Sequence, residues 1–261
     1  MRKLFRPINV IMTSQALVSL AFVFNRIIDA DEGFYLAAAQ RVADGLLPYR
    51  DFFFPQMPLL PFTFFGLSSW GINSLIVLRI IAAFAGILTT YTMYRIVAIN
   101  LKNEKLAIVA AFFMAFSGLS LNWHTTFKPY AFVDLFLLAS FGLLLQARSE
   151  KRQFNWSVFA AMLALGLAIN FRSIFAVLLP VYAYFFYQAA LRHHESFSKC
   201  GFAAALGLLL PSIPALYLVA TGFEQFWFNN LIFHLHREPI NPISALLTHK
   251  ALSVGKFLIL P

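Results

Sequence analysis

Residues 74–99 read SLIVLRIIAAFAGILTTYTMYRIVAI. That run exceeds the roughly 20 apolar residues needed to cross a bilayer. Working outward, further apolar runs cover Ile8–Phe24, Leu106–Leu121, Ala131–Gln146, Trp156–Ile169, Ser173–Ala190 and Gly201–Ala220, and a last one starts near Leu252 and reaches Pro261. Composition agrees. The 261 residues are 60% hydrophobic and 12% charged, where soluble domains carry about 25% charged residues, so too few charges remain to clothe a soluble surface. The same figures exclude disordered, collagen-like, coiled-coil and disulfide-rich classes. The single cysteine, Cys200, cannot close an intrachain disulfide. The expectation is an all-α, polytopic membrane helical bundle with about seven to eight transmembrane helices and juxtamembrane helices on its outer surface.

The net charge of +9 belongs to membrane orientation rather than to nucleic acid, because no basic stretch is continuous along a helix or ribbon. Ile8–Phe24 follows Arg2, Lys3 and Arg6 and ends without a small-residue cleavage site, which predicts a retained first helix with its N-terminus inside. Pro58–Trp70 is apolar but short and carries two prolines, so a re-entrant or interfacial helix is expected there. With that choice eleven Lys and Arg and three acids fall inside, leaving nine bases and eight acids at or near the outer side. Basic residues then collect inside, as membrane orientation requires. Residues 1–261 read as a single transmembrane module, with 25–73 as its first outer loop, and the stop at Pro261 within an apolar run suggests a truncated chain.

The outer acids are the anomaly. Asp29, Asp31 and Glu32 cluster where the first span ends, and ionisable groups at a membrane are costly unless used. Glu32–Gly45 reads as a helix from the spacing of Phe34, Tyr35, Ala38, Ala39, Val42 and Leu46, with Asp31 at its N-cap position. Asp134 stands at the start of Ala131–Gln146, after a link containing His124 and Lys128. Each aspartate reads equally as a helix cap. Together, with a Lys and a His nearby, they could hold a base, a phosphate site or a metal. Arg172 interrupts an apolar stretch at an outer turn and is either a snorkelling interface residue or a clamp for an anionic headgroup. The segments Tyr49–Pro58 and Phe226–Pro239 mix aromatics with charges, as an aromatic belt or the wall of a lipid-chain groove would. His234 and His236 form a His-x-His pair with no third ligand at a zinc spacing. There is no phosphate-binding P-loop, dinucleotide fingerprint, HExxH motif or nucleophile elbow.

Asp29-Ala-Asp-Glu-Gly-Phe-Tyr35, followed by Tyr49-Arg-Asp-Phe-Phe-Phe-Pro-Gln-Met-Pro-Leu59, resembles the first outer loop of GT-C glycosyltransferases. More narrowly it is similar to the dolichyl-phosphate-mannose protein mannosyltransferase-like group, which includes bacterial aminoarabinose transferases acting on lipid A. Arg79–Thr90 and Tyr130-Ala-Phe-Val-Asp134 carry the same likeness. The resemblance implies transfer of a sugar from a polyprenyl-phosphate-linked donor to a lipid, glycan or protein hydroxyl. The reaction would take place on the outer face of the cytoplasmic (inner) membrane, among membrane lipids and without nucleic acid. It implies Asp31 as catalytic base, with Glu32 beside it and Asp134 in support. Arg172, Lys128 and Arg50 become the candidates for donor phosphate, because Gln56 and Met57 stand where the family has a Lys or His before the proline matching Pro58. Asp29, His124, His234 and His236 form the possible acceptor or metal neighbourhood; no cofactor is implied beyond an optional divalent metal. The competing expectations are a transporter or lipid flippase, which would place ionisable residues near the midplane on broken helices, and an inactive truncated scaffold.

Overall fold

The computed structural model describes residues 7–70, 72–149 and 154–236. They form helices and connecting turns, with no strand among the described residues. The first span, α1 (Pro7–Asn25), leads into a helix α2 (Ala30–Ala43), followed by a short α3 (Leu59–Phe64). The long α4 (Ile72–Asn100) comes next. Then follow α5 (Glu104–Phe116), α6 (Gly118–His124), α7 (Tyr130–Ser149) and α8 (Phe154–Phe171). The chain continues through α9 (Leu179–His193), α10 (Phe197–Leu209), α11 (Ile213–Thr221), α12 (Phe223–Trp227), a π-helical turn Phe228–Ile232 and α13 (Phe233–His236). Among the described residues, five helical stretches are long and apolar enough to cross a membrane, six if the bent pair α5–α6 is one span. The shorter α8 is a further apolar helix. The run beginning near Leu252, the basic residues before Pro7 and Arg237 lie outside the described residues.

Several expected continuous spans are broken. Ser117, extended at φ −64° and ψ 135°, ends α5 and caps α6, so the two meet at a 58° bend. A 3-10 stretch, Ser173–Leu178, precedes α9. Pro211 and Pro214 interrupt the run from α10 into α11, since proline removes a helical donor. Pro58–Trp70 forms only the six-residue α3 and a 3-10 turn, too short to span.

Packing follows membrane rules. α5 buries Ala107, Ala111 and Ala115 and turns Phe112 and Phe113 outward. A soluble helix would do the reverse; in lipid, small residues let backbones approach and large ones face acyl chains. α8 and α10 touch in the same way at Gly207, where a Cβ would strike the Phe159 carbonyl. At the end where α1 stops, Tyr35, Phe54, Leu60, Phe64, Leu78, Phe127, Phe132 and Phe171 form one core that joins α2, the loop after it, α3, α4, α7 and α8. Asp29, Asp31 and Glu32 lie at the start of α2, whose Tyr35 belongs to this core.

Candidate functional site

α2 begins on a capping box. Asp29, extended at φ −81°, accepts the Asp31 amide at 2.9 Å, and the Glu32 carboxylate accepts the Asp29 amide at 3.1 Å. The N-cap is therefore Asp29, and the helix starts two residues earlier than its apolar spacing predicts. Asp31, released from capping, sits in the first turn with its side chain 66% exposed.

Glu32 is fully buried. Its Oε1 accepts from Arg79 Nε and the Phe127 amide, both at 2.8 Å, and its Oε2 from Arg79 Nη2 at 2.6 Å. Burial pushes the Glu32 carboxyl up, but the Arg79 guanidinium and the two backbone amides prevail and hold it below the usual range. Arg79 spends its remaining N–H groups on the carbonyls of Val23, Arg26 and Ile27, the open end of α1. One buried ion pair thus ties α1, α2, α4 and the α6–α7 link. Sequence reasoning missed Arg79; the signal was a lone charge near the start of the longest apolar run.

The α6–α7 link supplies the rest. Buried Lys128 donates to Asp29 Oδ1 at 2.8 Å and Asp31 Oδ2 at 2.9 Å. Its ammonium lies 4.9 Å from the Trp123 ring centroid. Burial pulls the Lys128 pKa down, and the hydrogen bonds to both carboxylates more than offset it, so the ammonium lies above its ordinary value. Asp29 is held below its ordinary value, chiefly by the Lys128 hydrogen bond. Trp123 packs on Tyr130 at 4.4 Å, and the Arg172 guanidinium lies over Tyr130 at 4.7 Å. A cation–aromatic ladder therefore runs from Asp31 to Arg172. Among the described residues no carboxylate pairs with Arg172.

Asp134 lies in the second turn of α7 and caps nothing; its half-exposed carboxylate meets His124 Nε2 at 3.0 Å. The His124 ring is buried against Gly86, where a Cβ would come within 2.6 Å of it, and its Nδ1 has no partner among the described residues. Arg50 is distant in role: it forks onto neighbouring Asp51 at 2.9 and 2.8 Å. His234 and His236 turn to the carbonyls of Pro55 and Ile232. The four possible metal-neighbourhood residues are not brought together, and no group of three or more His, Cys, Asp or Glu among the described residues could hold a metal.

No curated protein and no solved structure matches the chain. The model of the dolichyl-phosphate-mannose-protein mannosyltransferase family matches residues 58–218. That interval contains Arg79, His124, Lys128, Asp134 and Arg172, while Asp29, Asp31, Glu32 and Arg50 precede it and His234 and His236 follow it. Because the match covers more than half of a helical, apolar chain, the protein belongs to the dolichyl-phosphate-mannose-protein mannosyltransferase family and is a GT-C-type membrane glycosyltransferase.

Proposed function

We propose that the chain transfers a sugar from a polyprenyl-phosphate-linked donor to an acceptor hydroxyl at the outer face of the cytoplasmic membrane, with Asp31 as the base. One observation carries this reading: beyond the end of α1, Asp31 presents an exposed carboxylate while buried Lys128 fixes one of its oxygens. The other oxygen is open to a hydroxyl. In the transfer the acceptor oxygen bonds to the anomeric carbon, the carbon–oxygen bond to phosphate breaks, and its electron pair leaves with the phosphate. The acceptor proton passes to Asp31. A carboxylate suffices because the hydroxyl acidifies only as the new bond forms. A single displacement inverts the anomeric carbon.

Arg172 receives the departing phosphate, for its guanidinium is free of acids and matches phosphate geometry. Glu32 and Arg79 act as positioning residues: they set the start of α2 and therefore the place of Asp31. Asp134, turned by His124, supports the acceptor side. The isoprenoid tail explains why the site sits at a membrane boundary.

The test is incorporation of labelled sugar from polyprenyl-phosphate donors in membranes containing the wild-type chain or Asp31→Asn. The amide keeps shape, and Asp29 rather than Asp31 caps the helix, so the fold should persist. Loss of a general base costs about 10²–10⁴-fold in rate. Transfer within about threefold of wild type would remove Asp31 from the chemistry.

A further inference from the structure

Beyond Asp31, the loop 49–53 and the segment 224–229 enclose an open groove of about 610 Å³. Small-ligand sites span about 300–1,000 Å³. The groove is built rather than incidental. The Phe54 amide donates to Oδ1 of buried Asn229 at 2.9 Å, and Asn229 Nδ2 donates to the Gln225 carbonyl at 2.8 Å. Tyr49 is held at φ 70°, a left-handed conformation unusual for a tyrosine. Its amide donates to the Phe52 carbonyl at 2.9 Å and its phenol to the Gln56 carbonyl at 2.6 Å. Phe54 stacks on Phe34 at 5.4 Å and meets Tyr35 edge-on, one turn along α2 from Asp31. Groove and base therefore share one platform.

The walls present two kinds of group. Phe53 and Phe228 are nearly half exposed. Asp51, Glu224 and Gln225 add planar hydrogen-bonding ends. The Arg50 charge is cancelled within the groove by Asp51, and no cation among the described residues pairs with Glu224. Among the described residues the fixed charge is therefore carboxylate in excess, which repels phosphates and acidic sugars. An acyl chain would leave Glu224 and Gln225 without partners. A pyranose ring satisfies both walls: its C–H face lies on an aromatic ring, and neighbouring hydroxyls donate to a carboxylate.

We propose that the groove seats a neutral sugar ring of the acceptor, so that the acceptor is an uncharged glycan; this rests on the transfer reaction proposed above. The experiment exposes the detergent-solubilised full chain to immobilised neutral mono- to tetrasaccharides. Phosphorylated and uronic saccharides and phosphatidylglycerol vesicles are the comparison arms. Retention on neutral glycans is expected, falling about fivefold or more in Glu224→Gln and in Phe228→Ala. Should Phe228→Ala lose its wild-type melting profile, Gln225→Ala takes its place. Retention only on the anionic arms, on none, or equally in wild type and groove variants overturns the proposal. Neutral-glycan retention without Asp31-dependent transfer would instead sink the base assignment and leave the groove standing.

Discussion

Lys128 is a test of what a buried ammonium does between two acids. Asp29 is lowered, so its contribution to stability is present above its ordinary pKa of 3.8 and lost only as pH falls through the lowered value. Lys128 is raised, so its contribution is present below 10.5 and lost only as pH rises through the raised value. The clamp is therefore fully charged between. Replacing Lys128 with Met should cost the same stability at pH 5, 7 and 9, about 1 kcal/mol or less, because both carboxylates left behind reach solvent. Transfer should fall far more than stability does. A stability difference that changes across that interval would contradict the clamp. For Arg172, the Ala variant should raise the apparent donor KM by the equivalent of about 1.5–3 kcal/mol, and more than Lys does, since an ammonium cannot fork onto phosphate. If both variants match wild type at limiting donor, Arg172 is an interface anchor. The sequence offers Lys128, with Arg172 and Arg50, as a candidate for donor phosphate, and Asp31 as a cap or a base. Geometry gives the cap to Asp29 and the ammonium to the two acids. The four-residue box from Asp29 to Glu32 was readable as a capping signal, but pairing across 97 residues was not.

Between elements, the Arg79–Glu32 pair is the joint. Removing one partner of a buried pair strands the other charge, at about 3–5 kcal/mol. Arg79→Met alone should therefore destabilise more than Arg79→Met combined with Glu32→Gln, as read by thermal unfolding in detergent. Equal costs would show that the guanidinium serves only the α1 carbonyls. At the α8–α10 crossing, Gly207→Ala sets a methyl against the Phe159 carbonyl; helix separation should cost about 1–3 kcal/mol, and an unchanged melting temperature would mean that the crossing yields freely. Among the described residues, apolar runs located each candidate span, because hydrophobic length is a local property. The breaks at Ser117 and Pro211 were harder to place, since serine and proline both occur in spans whose neighbours re-satisfy the backbone.

Across the whole molecule, α4 separates half-buried Gln56 before it from exposed Lys102 after it. With the basic loops inside, a cysteine at Gln56 should react with an impermeant maleimide in intact cells and one at Lys102 should not. Cys200 is buried and contributes little background. Labelling at Lys102 alone would invert the bundle and move the Asp31 site to the cytoplasm. The joint at Arg79 also sets an order in time. A ribosome delivers Glu32 47 residues before Arg79 and 95 before the Phe127 amide. Until those arrive, Glu32 has left the translation machinery without Arg79, and Asp29 and Asp31 without Lys128. With the first loop outside, the nascent segment waits there while α4 and the bent α5–α6 pair insert. A chain released early therefore carries every acid of the first loop and no assembled centre, so sugar transfer begins only after biogenesis has passed the α6–α7 link.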